Sequence, residues 1–388
     1  FLLLILFNFL FSVSAPPHLY EVEQPDGTKI PVRMFGHEYY NWMESEDGYV
    51  IDWVDDEERL GWYYSDLDSE GRYYPTHILV NYPASIYLGI PKKLRETFPK
   101  VRELGHYELH VPISHKTNLD RSSPSTTIKP LILLADFSSL PSGMPDRNYS
   151  KDQFQHLLFD TNLNPSTTNL PSNYEMSVRD YYNEISNGKL EIIGDNESIV
   201  DWTTVDQGYS YYVDGVQGTG RGNGPNDSNN LAQSAAALVV EIAMDIESNF
   251  DFSSFDGNGD GDVDLVILIV EGWGDGDNDQ FWPHMSLIQA GNNGIGAINP
   301  NAPLNNDGYF SLDGVAIKKY IVVNEQYFHG GTDQPGMPDP GWIYPIGTIC
   351  HEIGHVLGLP DLYDTTRPDA EKIRDVLEWD LMAAGNWQ

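Results

Sequence analysis

The sequence predicts a layered α/β protein of the α+β kind, in which helices pack against a sheet. Two largely apolar runs, at residues 131–137 and 263–270, have the length and apolar character of buried strands. Between them, the alanine-rich residues 231–246 carry apolar side chains at helical spacing, which predicts a long buried helix. Strands that alternate with helices along the chain are typical of this fold class, and the sequence has no internal repeat.

The beginning of the chain, residues 1–15, has the composition of a secretory signal peptide without its basic n-region. The run is apolar, too short to span a bilayer, and ends with Val13 and Ala15 at the spacing of a cleavage site. We therefore expect a secreted, extracellular protein. Secretion permits disulfides, but Cys350 is the single cysteine, so stability must come from the core and from bound metals.

Residues 16–116 are predicted to form a separate β-rich domain, with short β-like runs and turn signals such as that at residues 25–27. Residues 117–128 are polar and biased toward Ser, Thr and Pro, which is typical of an exposed linker. A domain joined to the rest of the chain by a cleavable connector fits a zymogen, so we interpret residues 16–116 as a pro-domain. A permanent accessory domain is the alternative.

The second block, residues 129–388, contains further predicted elements. Residues 177–186 open with the Ser-x-x-Asp pattern of a capping box, which predicts a helix. A strand is expected at residues 189–193, which follow a turn signal, and another at residues 320–323, which form a continuous apolar run.

The most specific pattern in the chain is H-E-x-x-H-x-x-G-x-x-D, at residues 351–361. Residues four apart on a helix share a face, so His351 and His355 can direct their imidazoles at one metal ion. Gly358 is expected to end the helix because glycine tolerates positive φ, and Asp361 can then fold back as a third ligand. Three protein ligands leave a position for water, which is typical of catalytic rather than structural zinc.

Glu352 follows the first histidine, so its carboxylate is expected beside the metal, where it can take a proton from bound water. A bare H-E-x-x-H pattern arises by chance in roughly a few per cent of such sequences, but the added glycine and aspartate lower this to about one in several thousand. The sequence therefore predicts a zinc hydrolase with Glu352 as general base, and residues 129–388 as its catalytic domain.

Met382 lies shortly after this motif, in the small-residue segment 378–385. A methionine in isolation is more often ordinary core packing. In metzincin proteases, however, a methionine turn lies beneath the zinc ligands, and the position of Met382 after the motif favours that role.

An acidic loop at residues 256–264 has the ligand spacing of half an EF-hand, with Gly261 at the sharp turn. The candidate calcium ligands are Asp256, Asn258, Asp260, Asp262 and Asp264. Position twelve is Ile267 instead of glutamate, so a further ligand is needed, and Glu271 or Asp275 are candidates. A solvated acidic turn is the alternative, but crowded carboxylates repel one another without a cation, which favours calcium.

The formal net charge of −36 argues against nucleic acid or an anionic membrane surface as a partner, since both would repel the chain. After the signal, no stretch is apolar enough to predict a membrane anchor. Protein or peptide substrates are expected, and the oligomeric state is left open.

The chain resembles the immune inhibitor A family of secreted bacterial zinc proteases, within the metzincins. The matching segments are residues 24–28, 47–49, 177–182, 186–190, 260–264, 281–284, 351–364 and 379–382. The resemblance implies a metzincin-like domain with a mixed, twisted sheet, an active-site helix and a Met-turn, preceded by a β-rich pro-domain. It also implies endopeptidase activity and bound calcium, and it assigns zinc to His351, His355 and Asp361 and the general base to Glu352. Family members usually extend well beyond the Met-turn, so we expect the catalytic domain to be truncated at its C-terminus.

Two other classes of function remain open. A zinc hydrolase of a non-peptide amide would share the motif, and an assay on casein or a fluorogenic peptide separates it. A calcium-dependent binding protein with an inactive zinc site would lack a ligand or the base, whereas here every expected position is filled.

Overall fold

The computed structural model describes residues 20–37, 40–55, 59–69, 73–80, 92, 126–171, 174, 176–214, 217–220, 230–274, 280–327, 342–359, 361 and 380–382. The predicted signal peptide at residues 1–15, and residues 117–125 of the predicted linker, lie outside these residues.

The N-terminal part of the chain forms a six-stranded antiparallel sheet in which each strand pairs with the next. The strands are β1 (Tyr20–Glu23), β2 (Lys29–His37), β3 (Tyr40–Ser45), β4 (Val50–Asp55), β5 (Leu60–Leu67) and β6 (Tyr73–Leu79). The turn signal at residues 25–27 closes the first hairpin, where Gly27 adopts a φ of +83° and its amide donates to the Gln24 carbonyl. This region is therefore rich in β structure, as its sequence predicted.

A second, mixed sheet forms the centre of the described residues from Thr126 onward. Its strands and the short strands near it are β7 (Thr126–Ile128), β8 (Leu131–Phe137), β9 (Leu190–Ile192), β10 (Ile199–Val205), β11 (Val266–Gly274), β12 (His284–Leu287), β13 (Ser311–Leu312), β14 (Val315–Ala316), β15 (Lys319–Tyr327) and β16 (Trp342–Ile343). The order is β10-β8-β11-β15-β12, with β16 also paired to β15. The first four strands are parallel, whereas β12 and β16 run antiparallel to β15.

Helices cover both faces of this mixed sheet. They are α1 (Lys151–Phe159), α2 (Pro165–Thr168), α3 (Val178–Ile185), α4 (Tyr209–Val213), α5 (Ala235–Ile246), α6 (Ile295–Ile298) and α7 (Ile346–Val356), with 3-10 turns at Asn196–Ser198, Glu247–Asn249 and Phe252–Phe255. Among the described residues, no helix combines the length and the apolar character that a membrane crossing requires.

Side chains of the central strands alternate between two cores, because successive residues of a strand point to opposite faces. Leu133 and Leu268 belong to the core on the α5 side. Leu134 and Ile267 belong to the core that also contains apolar residues of α1, α3 and α7. The fold is therefore a layered, mixed α/β structure, which confirms the predicted class and places α7 on one face of the sheet.

Several predicted boundaries of strands and helices are wrong, because contacts with neighbouring residues determine where these elements begin and end. Thr126–Ile128, predicted as the end of the linker, forms β7 and pairs in parallel with Leu190–Ile192, as its β-branched residues favour. The long helix begins at Ala235 instead of residue 231, because Ser234 caps it by accepting from the Ala237 amide. The strand predicted at residues 263–270 is β11, which starts three residues later and continues to Gly274.

The N-terminal sheet packs its apolar face on the second part of the chain. Buried residues of this face, among them Ile51 and Tyr64, share one cluster with Trp282, Tyr327 and Tyr344. Tyr344 lies two residues before Ile346, where α7 begins, so the two sheets meet close to the start of that helix.

Candidate active site

Helix α7 carries the first three residues of the predicted zinc motif. His351, Glu352 and His355 are fully buried on it. The helix ends at Val356, and two residues later Gly358 has a φ of +87° while its amide donates to the His355 carbonyl. This left-handed glycine turns the chain back toward the helix, as a C-terminal glycine does.

The turn after α7 brings Asp361 to the two histidines. The Nε2 atoms of His351 and His355 lie 2.9 Å apart. The Oδ1 atom of Asp361 lies 3.2 Å from the Nε2 of His351 and 3.4 Å from that of His355. Within the described part of the chain, this is the group in which three His, Cys, Asp or Glu side chains bring ligand atoms within 4.8 Å of one another.

Two backbone carbonyls fix the protonation of the imidazoles. The Nδ1 of His351 faces the Leu381 carbonyl at 2.8 Å, and that of His355 faces the Leu359 carbonyl at 2.9 Å. A carbonyl oxygen only accepts, so both Nδ1 atoms carry the hydrogen and both neutral rings present a lone pair at Nε2. Two lone pairs and a carboxylate this close repel one another unless they share a cation, which fits a metal held by two nitrogens and one oxygen.

The electrostatics of the site also favour a positive charge at its centre. Burial opposes the charged form of His351, but its hydrogen bond with Asp361 and the charges of Glu352 and Asp361 raise its pKa to about 9. Burial likewise opposes the ionised form of Asp361, but hydrogen bonds with His351 and His355 lower its pKa to about 2. Without a metal, a proton satisfies the same three groups.

Glu352 is a completely buried carboxyl group beside this centre. Burial raises its pKa to about 7, although the charges of His351 and His355 and the backbone amide of Met285 act in the opposite direction. A carboxyl group that titrates near neutrality can both take and return a proton, which is what a general acid–base catalyst needs.

The segment that contains Met382 contacts α7 at two points. The Leu381 carbonyl accepts from His351, and the Met382 side chain, which is buried, lies against Gly354 on the next turn of the helix. The Asp380 carboxylate accepts from the Met382 amide at 2.9 Å and closes the turn. Sequence reasoning identified Met382 but missed Leu381 and Leu359, because a backbone acceptor has no residue signature.

The acidic loop folds around its own backbone amides. Asp256 accepts from the amides of Gly259, Asp260 and Gly261 at 2.8, 3.0 and 2.9 Å. Asn258 accepts from the Asp260 amide at 2.8 Å. Gly261 has a φ of +87°, in keeping with its expected place at a sharp turn.

Asp260 also has its partners inside the loop, since its carboxylate accepts from the Asn258 side-chain amide and from the Asp262 backbone amide, both at 3.0 Å. The last two acidic residues have partners outside the loop. Asp262 forms an ion pair with Lys318 at 2.7 Å, and Asp264 accepts from the Lys129 amide at 2.8 Å. Glu271, a candidate for the missing calcium ligand, instead accepts from the amides of Phe137 and Arg147 at 3.0 and 2.9 Å. Asp275 lies outside the described residues.

Cys350, next to the first histidine, is buried in the core between α7 and the sheet. Burial raises the pKa of its thiol, which keeps it protonated and unreactive. The cysteine is therefore a small apolar residue at this position.

Comparison with known proteins agrees with the geometry of this site. The profile of the immune inhibitor A peptidase M6 catalytic domain matches residues 129–388. "Immune inhibitor A" of Bacillus thuringiensis subsp. alesti is 26% identical over 277 residues, which cover 67% of this chain and 36% of that protein. The chain thus corresponds to little more than a third of this relative's length. Because the profile covers more than half of the chain, including the histidine and glutamate motif, the chain belongs to the immune inhibitor A family of M6 peptidases.

Proposed function

We propose that this protein is a secreted, zinc-dependent endopeptidase that hydrolyses peptide bonds in proteins. The supporting observation is the convergence of two imidazole Nε2 atoms and one carboxylate oxygen within 3.4 Å, beside the buried Glu352. Two nitrogen ligands and one carboxylate from the protein are typical of catalytic zinc. Membership of a peptidase family favours peptide bonds over other amides as the substrate.

In this proposal, each residue of the site has one task. His351, His355 and Asp361 would hold a zinc ion, which when bound would polarise the scissile carbonyl and make a water molecule more acidic. Glu352 takes the proton of the attacking water and later delivers it to the leaving amine. The Leu381 and Leu359 carbonyls hold His351 and His355 in the tautomer that ligates through Nε2.

We further propose that residues 16–116 are a pro-domain whose sheet restrains the catalytic domain. The apolar face of the sheet packs against Trp282, Tyr327 and Tyr344, and Tyr344 lies two residues before the start of α7. A specific protease site placed within residues 117–125 tests this role, since its cleavage should increase the hydrolysis of a fluorogenic peptide. Equal activity before and after cleavage would indicate the accessory domain instead.

The acidic loop is proposed to bind calcium as a structural ion. This proposal is supported by the spacing of the carboxylate and amide side chains and by the turn at Gly261, which resemble the first part of an EF-hand loop. Asp262 would then exchange its ion pair with Lys318 for a shared or direct contact with the cation.

The function is tested by metal analysis beside a proteolysis assay on the full chain. Zinc should copurify with the protein, casein should be cleaved, and a chelator should abolish cleavage until zinc is restored. Zinc content without cleavage of any peptide, together with turnover of a small amide, would favour the non-peptide hydrolase.

A further inference from the structure

Helix α3 is not used by the proposed mechanism, yet it touches the helix that carries the metal ligands. The hydroxyl of Tyr182 on α3 donates to the backbone carbonyl of Cys350 on α7 at 2.5 Å. Tyr182 is only 2% exposed, and the two residues lie 168 positions apart in the sequence. The accepting carbonyl belongs to the residue directly before His351.

Helix α3 is also held in place by contacts with parts of the domain other than α7. Ser177 caps the helix by accepting from the Asp180 amide at 3.0 Å, and its hydroxyl donates to the Asp160 carbonyl at 2.6 Å. Arg179 forms an ion pair with Glu191 on β9. These contacts hold α3 to the rest of the domain, so that α3 can serve as a fixed support for α7.

The hydrogen bond from Tyr182 is compatible with an intact α7. A helical carbonyl accepts from the amide four residues later with one lone pair and retains a second. Tyr182 therefore adds a lateral contact to Cys350 without breaking the helix. Further along α7, the Leu381 carbonyl accepts a hydrogen bond from His351, and Met382 lies against Gly354.

We propose that Tyr182 is a positioning residue for the metal centre, which sets the placement of α7 so that His351 and His355 meet Asp361. The inference rests on the proposed zinc site. It predicts that the Tyr182 hydroxyl contributes to metal geometry and affinity, beyond any contribution of its ring to the core.

Tyr174 provides a matched control. It is also a buried tyrosine of the same core, and its hydroxyl also donates to a backbone carbonyl, that of Ile343. This carbonyl lies on β16, before α7 begins. Tyr174→Phe and Tyr182→Phe thus remove the same chemical group from similar surroundings, but only the Tyr182 hydroxyl donates to a carbonyl within α7.

The experiment uses the full chain and measures zinc affinity by competition with a chromogenic chelator, and metal geometry by the visible absorption of the cobalt-substituted protein. For Tyr182→Phe we expect zinc affinity to fall by about threefold to tenfold, the range that one net hydrogen bond supplies. Its cobalt bands should also change in position or intensity. Tyr174→Phe should keep the wild-type cobalt spectrum and an affinity within about twofold of wild type.

Each outcome has a distinct meaning. Unchanged cobalt bands and zinc affinity in Tyr182→Phe, or equal changes in both variants, would overturn the positioning role while leaving the zinc site intact. Failure of the wild-type chain to bind zinc would instead contradict the proposed function. If Tyr182→Phe does not fold, 3-fluorotyrosine at position 182 keeps the hydroxyl and alters its donor strength. A changed zinc affinity then supports the role, and an unchanged one overturns it.

Discussion

Gly354 and Met382 approach so closely that a Cβ atom on the glycine would lie 2.5 Å from the Sδ atom of the methionine. Real Cβ atoms do not come this near to a sulfur, so any larger residue at position 354 would require the Met382 side chain to shift. The two histidines flank Gly354 on the helix, one of them adjacent to it. The segment that contains Met382 therefore supports the candidate metal ligands by direct packing as well as through the Leu381 carbonyl.

Gly354→Ala should destabilise the protein even though alanine is the better helix former. Helix propensity favours alanine by about 1 kcal/mol. Overpacking against Met382 costs about 1–3 kcal/mol, so we expect a net loss of up to about 2 kcal/mol in the free energy of unfolding. Urea denaturation measures this loss. In a Met382→Ala background the same change should cost less or stabilise, whereas an equal cost in both backgrounds would show that the two residues are not coupled.

Asp361→Asn should change the pH dependence of stability in the metal-free protein. The folded-state pKa of His351 is raised from 6.5 to about 9, chiefly by Asp361 and Glu352 acting against burial. The proton held by His351 therefore stabilises the fold fully below pH 6.5, and this contribution is lost as pH rises toward 9.

The asparagine should weaken this decline, because it removes the charge of Asp361. Urea denaturation of both proteins from pH 6 to about pH 10, in a chelator, measures the slope. An unchanged slope would mean that Asp361 does not set the pKa of His351.

Calcium should stabilise the protein through the acidic loop, and most clearly above the pKa of Asp264. Burial, followed by the charges of Asp260 and Asp256, raises this pKa above 3.8, although amides of Lys129 and Gly257 lower it. Without calcium, the folded state retains a proton that the unfolded state releases, so stability falls as pH rises through this window.

A bound calcium ion should remove that fall and raise Tm as the free calcium concentration rises. Differential scanning calorimetry with calcium or with a chelator measures the effect, and magnesium at equal concentration is the control. Asp256→Asn with Asp260→Asn should abolish the response. Equal Tm values with and without calcium at neutral pH would instead identify the loop as a solvated acidic turn.

The sequence allowed the three converging side chains of the candidate metal site to be predicted because their geometry is local. His351 and His355 are one helical turn apart, and Gly358 permits the reversal that returns Asp361. The contacts that could not be predicted join residues that lie far apart in the sequence. The Leu381 carbonyl, the Tyr182 hydroxyl and the Lys318 ammonium reach their partners only after the chain has folded.

The same reasoning applies to the fold. Apolar runs identified β8, β11 and β15, since buried parallel strands are apolar along their whole length. Thr126–Ile128 is too short and polar to be recognised alone, and it becomes a strand only because β9 lies beside it. The antiparallel placement of β12 at the edge also follows from tertiary contacts, because four residues carry too little pattern to define a strand's direction.

The most direct test of the account is Glu352→Gln in the full chain, measured for zinc content and for hydrolysis of a fluorogenic peptide. Glutamine keeps the size of the side chain but cannot accept and return a proton, so zinc should be retained while turnover falls by about 10²–10⁴-fold. Cys350→Ala, a buried neighbour on the same helix, should retain both zinc and turnover. Turnover by Glu352→Gln close to that of the wild type would contradict the assignment of Glu352 as the general base.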